Sequence, residues 1–462
     1  MALQPPTPKV LAACVVCFVI TYFVTMDRET AQSAFKVCMD SIIRTRKYHM
    51  PKTHNSLPPG KSWDVCIVGA GLSGSVVAER YANLMNKTSV MIEKRNHIGG
   101  NCYDYVDPET NILMNLYGVH LFHTNIDRVW RYLNKWEKTV PWVRWDHHVV
   151  GWVMGKLVPI PVNILTVNSI LGTNIRTQEE MDAWLKGVQV KCLGPPVDGQ
   201  TSEHPIDGCH NARDMAMSRV GKDLYDMVFR WYTTKQWGMD PKNLGAEVTA
   251  RIPVRNNFDS RYFDDRYQAI PSQGYTQWFA RMIDHRNIDI VLNTDYFNVR
   301  DSLKGRCGKV YFTGPIDSYF AHVGLEKLEY RSIQFEKIVL DNAQYFQTAS
   351  QVNYPGPEVN FTRIVEYKHL LRQVSPKTVI VKEFSSDKGD PYYPVPNTRN
   401  KELYKRYQKL AEKETGVHFL GRLASYKYFN MDAAIENALE FWTKVEGIKH
   451  TDIEPAVPPR AA

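Results

Sequence analysis

The chain has few cysteines, no long run of like charges, no repeat and no low-complexity tract. Its 8 cysteines among 462 residues are scattered, and only Cys14 and Cys17 form a C-x-x-C pair. Neither a disulfide framework nor a metal site is therefore expected. Cys66, inside an apolar run, reads as a small buried hydrophobe. Lysine and arginine do not gather into a stripe with interleaved aromatics, which argues against nucleic acid as a partner. The net charge of +8 favours an anionic ligand, but only mildly. Long apolar runs are scarce as well. Val10–Met26 carries no charge and lies at the short limit for a membrane-spanning helix. It lacks an A-x-A-like cleavage site, so the sequence predicts a membrane anchor within residues 1–30 and a linker over 31–60.

What the chain does have is a glycine motif in full context. Val65–Val68 is a short apolar strand, followed by Gly69, Gly71 and Gly74 and a helical pattern from Leu72 to about Leu84. The first glycine allows a sharp turn, the second lets backbone approach a pyrophosphate, and the third packs helix on sheet. Ser73 lies in the same turn, at the start of a helix whose free N–H groups would face phosphate. A second apolar strand, Val90–Ile92, ends at Glu93, whose carboxylate can accept ribose hydroxyls. A lone glycine triad is weak. Strand, turn, helix, strand and acid in register make a dinucleotide site.

Lys94, Arg95, Gly99, Gly100 and Asn101 extend this motif into a second glycine turn, the form that suits FAD. Near the C-terminus, Val417–Leu420 runs into Gly421 and Arg422, and a helix starts at Met431. In two-segment flavoproteins such a strand and helix close over the flavin end, with the arginine neutralising pyrophosphate. Between the two segments, apolar positions recur at helical spacing from Asn163 to about Arg251. The Pro- and Gly-rich run 192–208 is expected to be a mobile loop between two of these helices. Strand signals dominate from Arg251 to His369. The expected class is α/β: a discontinuous Rossmann-like FAD-binding domain (61–150 and 396–450), a helical insertion domain (163–250) and a β-rich antiparallel-sheet substrate domain with returning FAD-domain strands (251–395).

Nine strings then coincide in order: Y-G-V-H-L-F-H-T at 117–124, Y-T-T-K-Q-W-G at 232–238, R-I-P-V-R at 251–255, R-Y-F-D-D-R-Y-Q at 261–268, Y-F-T-G-P-I-D at 311–317, L-E-Y-R-S at 328–332, F-T-R-I-V-E-Y-K-H at 361–369, P-Y-Y-P-V at 391–395 and G-R-L-A-S-Y-K-Y at 421–428. From about Trp63 to Val445 the chain resembles the bacterial-type UDP-galactopyranose mutases. That resemblance implies a redox-neutral isomerase needing reduced FAD, in which the flavin nitrogen bonds covalently to galactose while UDP departs and returns. It implies UDP-galactose as substrate, an external reductant such as NAD(P)H, and a homodimer.

Residue by residue, Arg251 and Arg363 match the family's diphosphate-binding arginines, a role that suits a permanently charged, bidentate group. Tyr262, Tyr393 and Tyr428 match phosphate-contacting tyrosines, with Tyr392 a neighbour of them. Tyr232, Thr233 and Trp237 match the edge of the sugar and nucleotide site, and Asn353 a substrate-contacting asparagine. His120 matches a histidine beside the flavin ring, where it could tune protonation. His123, three residues on, has a structural alternative, and no further ligand makes the two a metal pair. The chain departs from the family at Asn430, where an acid is usual, at Val119, and through Trp142–His148. Two other classes compete: a flavin oxidoreductase of the amine-oxidase type, and an inactive FAD-binding scaffold. An amine ligand would not need paired arginines, and a scaffold would not need to retain each matched arginine and tyrosine.

Overall fold

A computed structural model describes residues 48–192 and 206–448. The described residues from Pro51 onward pack as one compact unit. The glycine motif sits in a six-stranded, wholly parallel sheet, in the order Thr53–His54, Ile288–Val291, Ser89–Ile92, Trp63–Val68, Cys307–Phe312 and Val417–Phe419. Helices Leu72–Met85, Tyr275–Ile283 and Met431–Glu446 cover one face. Tyr81, Trp278, Phe279, Ile435 and Trp442 are fully buried there. Strands buried on both faces are the rule for parallel sheets, and Ser89–Ile92 has no exposed residue.

The second layer is a seven-stranded sheet: Tyr393–Pro394, Tyr330–Leu340, Thr378–Ser386, Arg363–Glu366, Gln351–Asn353, Val149–Val153 and Lys156–Ile160. Its pairings are antiparallel except that of Gln351–Asn353 with Val149–Val153. Helices Ile164–Leu171, Gln178–Val188, Ala212–Leu224 and Trp231–Trp237 form the helical segment beside it. Strand register in this sheet aligns three polar residues. Asn353 is the cross-strand partner of Arg363, which is in turn the partner of Glu383.

Several expectations need correction. The sheet begins at Thr53–His54, inside the stretch read as linker, because that segment pairs in parallel with Ile288–Val291. Tyr275–Ile283 is a buried helix within the region read as strands. Its apolar residues at 275, 278, 279, 282 and 283 follow helical spacing, and the Gly274 start was the missed signal. Cys66 does not stand as a free hydrophobe: it is disulfide-bonded to Cys307 on the neighbouring strand, and Cys192 is bonded to Cys209. The partners Cys66 and Cys307 lie 241 residues apart, so only the sheet order brings them together. Non-reducing peptide mapping is expected to recover both linked pairs, and reduction to cost roughly 3 kcal/mol of stability for the shorter loop. Unlinked cysteines in every preparation would refute this.

The membrane anchor is also corrected. Among the described residues no helix is long and apolar enough to cross a membrane. Met431–Glu446, for example, has 16 residues and carries Asp432, Glu436, Glu440 and Lys444. Val10–Met26, which prompted that expectation, lies outside the described residues, as do 193–205 of the expected loop.

Candidate active site

At the carboxyl ends of the parallel strands a cavity of about 970 Å³ opens around the glycine turn. Gly69, Gly71, Ser73, Glu93, Lys94, Arg95, Gly100, Asn101, His120, Arg422 and Met431 all line it. Gly74 does not line it. A Cβ there would lie 2.1 Å from the Gly69 carbonyl oxygen, so this glycine serves helix–sheet contact. The cradle is made of absent side chains. A Cβ on Gly69 would meet Thr313 Oγ1 at 2.4 Å, and one on Gly100 would meet Gly71 Cα at 2.8 Å. Glu93 accepts from the Ala70 and Arg95 backbone N–H groups, each at 2.9 Å, which fixes its carboxylate at the strand end with lone pairs to spare. Arg95 pairs with Asp390 at 2.8 Å, bonds Asn101 and stacks on Tyr117 at 4.2 Å. Two helix N-termini, at Leu72 and Met431, open onto the same space. This donor set and volume fit a dinucleotide with a flavin end.

Beside the cavity three guanidinium groups gather on a tyrosine pair. Tyr393 and Tyr428 stack at 5.4 Å, 15° from parallel. Arg251 lies 4.4 Å over the Tyr428 ring, while Arg422 lies 5.2 Å from Tyr428 and 5.6 Å from Tyr393. Arg363 enters from the second sheet, held through Nε by Glu383 at 2.6 Å. Trp237 closes the cluster 6.5 Å from Tyr393 and 6.4 Å from Tyr428, and it also lines the cavity. Arg251 is exposed by area yet hemmed in by Tyr262, Tyr393 and Tyr428, so the surface it shows faces a cleft.

Crowding sets the electrostatics of this cluster. Burial alone would raise the Tyr428 phenol, but Arg251, Arg422 and Arg363 bring it below its ordinary value. Tyr393 is pushed up to about 12 by burial and by Tyr428. Burial works against the Arg363 charge, yet Glu383, Tyr232 and Tyr393 hold its pKa above the usual value. The cluster thus carries an excess of fixed positive charge next to phenol donors. An anion with several oxygens is its natural occupant.

The remaining sequence candidates divide between this cluster and other surroundings. Tyr232 belongs to the arginine cluster, being one of the groups acting on Arg363. Thr233 is buried on the same helix, one turn from Trp237. Tyr262 faces Arg251. Asn353 is buried beside Arg363, with its Oδ1 accepting from Gln351 Nε2 at 2.9 Å. Tyr392 sits at the margin of the arginine cluster: its carbonyl accepts from Arg422 Nη1 at 3.4 Å, and its ring lies 6.4 Å from that of Tyr393. Its ring also packs 6.2 Å from Tyr117 and 6.4 Å from Phe335. His123 bonds Asp265 at 2.8 Å and stacks on Phe263, away from the cavity lining. Arg331 lines the cavity and bonds Ser385 and the Gln236 carbonyl. It stands in one of the nine strings, but no spacing rule singled it out.

His120 lies with Nδ1 2.8 Å from the Gly118 carbonyl, which requires the proton on Nδ1 and leaves Nε2 as an acceptor. Burial pushes its pKa from about 6.5 down to about 4. His147, buried on the far side of Tyr262, is pushed down to about 3 for the same reason. Both are neutral in the fold, whereas the unfolded chain protonates near 6.5. Their contribution to stability is therefore complete above pH 6.5 and is lost as pH falls from there toward 4. A thermal-midpoint series from pH 7.5 to 4.5 is expected to fall, and less steeply in His147→Phe; an unchanged slope would mean that His147 plays no part in it.

Comparison with known proteins agrees with this geometry. A family profile described as UDP-galactopyranose mutase matches residues 227–428, and one described as NAD(P)-binding Rossmann-like domain matches 67–136. A reduced UDP-galactopyranose mutase crystal structure is similar in fold, with a TM-score of 0.62 at 16% identity over 85% of this chain and 96% of that one. A putative protoporphyrinogen oxidase from Exiguobacterium sp. 255-15 has a TM-score of 0.53 at 13% identity over 85% of this chain and 99% of that one. At such identities these likenesses speak to fold alone. A dTDP-fucopyranose mutase of Escherichia coli is 35% identical over 81% of this chain and 96% of its own length. The probable UDP-galactopyranose mutase of Klebsiella pneumoniae is 34% identical over 82% of this chain and 93% of its own. Likeness sustained along nearly the whole of those relatives places the chain in the UDP-galactopyranose mutase family.

Proposed function

We propose that the protein interconverts UDP-galactopyranose and UDP-galactofuranose, with FAD as its cofactor in the reduced form. The observation that carries this reading is the convergence of Arg251, Arg363 and Arg422 on the Tyr393–Tyr428 pair at the edge of the glycine-lined cavity. Gly69, Gly71, Ser73, Gly100 and Arg422 would hold the pyrophosphate of FAD, Glu93 its ribose, and His120 would face the ring end. A reduced flavin bound there supplies a nitrogen nucleophile to a rearrangement with no net change in redox state. An external donor such as NAD(P)H would keep it reduced.

The chain's own groups do the rest. Arg251 and Arg363 neutralise charge on the departing diphosphate and keep it close enough to return to the anomeric carbon. Tyr262, Tyr393 and Tyr428 donate hydrogen bonds to its oxygens; Tyr428, with its lowered pKa, donates more strongly than Tyr393. Tyr232 and Trp237 shield the reacting carbon from water. His120 accepts at Nε2, and its low basicity keeps it uncharged near neutral pH.

The nucleotide is testable directly, because one relative acts on a dTDP sugar by name. The reduced protein is expected to turn over UDP-galactofuranose faster than dTDP-fucofuranose when the two are assayed side by side. The reverse preference would move the assignment to the dTDP sugar.

A further inference from the structure

Two half-buried cations of the helical segment make no ion pair among the described residues, and both donate to main-chain carbonyls instead. Lys235 Nζ reaches four of them: Tyr354 at 2.6 Å, Gly356 at 2.8 Å, Phe361 at 3.0 Å and Val359 at 3.1 Å. Arg219 Nη1 reaches three: Ile252 at 2.5 Å, Ala250 at 3.0 Å and Thr249 at 3.4 Å. Removing either cation from water costs free energy, and for both burial lowers the pKa, that of Lys235 to about 8. Such an arrangement persists when the carbonyls need the cation as much as the cation needs them.

The position of those carbonyls is informative. Tyr354–Phe361 is the Pro- and Gly-containing turn between Asn353 and Arg363, closed at its base by Tyr354 N–H donating to the Thr362 carbonyl at 2.9 Å. No regular structure holds that turn, so four carbonyls converging on one ammonium define its shape. Thr249, Ala250 and Ile252 bracket Arg251 at the end of the short helix Glu247–Ala250. There the Thr249 carbonyl already accepts from backbone N–H groups of the cap, while no backbone donor closes on Ala250 or Ile252 among the turn and cap bonds of the described residues. The Arg219 guanidinium supplies a donor to the Ala250 and Ile252 carbonyls on either side of Arg251.

We propose that Lys235 and Arg219 are positioning residues, each fixing the backbone turn that presents one diphosphate arginine: Lys235 for Arg363, and Arg219 for Arg251. Lys235 sits on the helix that also carries Tyr232, Thr233 and Trp237, so one element sets both the pocket edge and the reach of Arg363. The inference rests on reading Arg251 and Arg363 as the UDP clamp.

The test is a pair of double-mutant cycles on the full chain loaded with flavin, reading UDP affinity and flavin content. Lys235→Met and Arg219→Met are each expected to weaken UDP about tenfold or more with flavin retained. In an Arg363→Ala background Lys235→Met should add less than about threefold, whereas in Arg251→Ala it should keep its full effect. Arg219→Met should show the opposite pairing. Matched and crossed pairs that multiply alike would overturn the proposal, as would single variants that bind UDP like the parent. If Arg251→Ala and Arg363→Ala leave UDP binding intact, the clamp reading fails first and is identified as the fault. Should the Met variants not fold, Lys235→Gln and Arg219→Gln take their place. If those also lose flavin, both residues are general supports and the proposal falls.

Discussion

Arg363→Ala is expected to weaken UDP binding by about 2–4 kcal/mol, roughly 30- to 1,000-fold in Kd, while flavin content stays at the parent level. The size reflects the surroundings of the guanidinium. Arg363 is bonded through Nε to Glu383, a fully buried carboxylate whose Oε1 has no partner among the described residues. Deleting the guanidinium removes a charge-assisted contact to the diphosphate and leaves that carboxylate unpaired beside it, so repulsion adds to the loss. Arg251→Ala should act in the same range by a different route. It strips the cation stacked on Tyr428, so the phenol returns toward ordinary acidity and donates more weakly. Neither arginine lines the flavin cavity, which is why flavin retention separates loss of a clamp from loss of fold. Titration of each flavin-loaded variant with UDP checks both; parent-like affinity would remove the diphosphate assignment.

Gly69→Val is expected to leave the protein without bound flavin. Gly69 has φ +101°, a conformation that costs a β-branched residue heavily, and its Cβ would meet Thr313 Oγ1 at 2.4 Å. Thr313 cannot step aside freely, because that hydroxyl donates to the Val68 carbonyl at 2.7 Å. A side chain here fills the space where backbone must approach a pyrophosphate. Gly305→Ala is the control: φ is +71°, so strain is present, but nothing lies within 4 Å of the added carbon. Its flavin absorbance should match the parent. A yellow Gly69→Val protein would mean that the glycine turn does not hold the cofactor.

The parts of the fold visible in sequence were those set by local pattern. Gly69, Gly71 and Glu93 lie within one strand–turn–helix–strand unit, and turn chemistry dictates them at short range. The helix from Leu72 was legible through residue periodicity. Arg251 and Arg363 were legible only as members of recurring strings, since nothing in their neighbours distinguishes a clamp from a solvated cation. What was hidden depends on contacts between distant segments. Glu383 is invisible until strand register sets it opposite Arg363. The Cys66–Cys307 bond needs the sheet order, and Lys235 looks like any helical lysine until four carbonyls surround it.

The most direct test of a flavin-dependent, redox-neutral mutase is to supply UDP-galactofuranose to the purified, chemically reduced protein and follow the sugar nucleotide and the reductant together. The expected result is accumulation of UDP-galactopyranose with no reductant consumed in proportion to product, and negligible conversion by the oxidised protein. Full turnover by oxidised or flavin-free protein, or one reductant used per product formed, would contradict it.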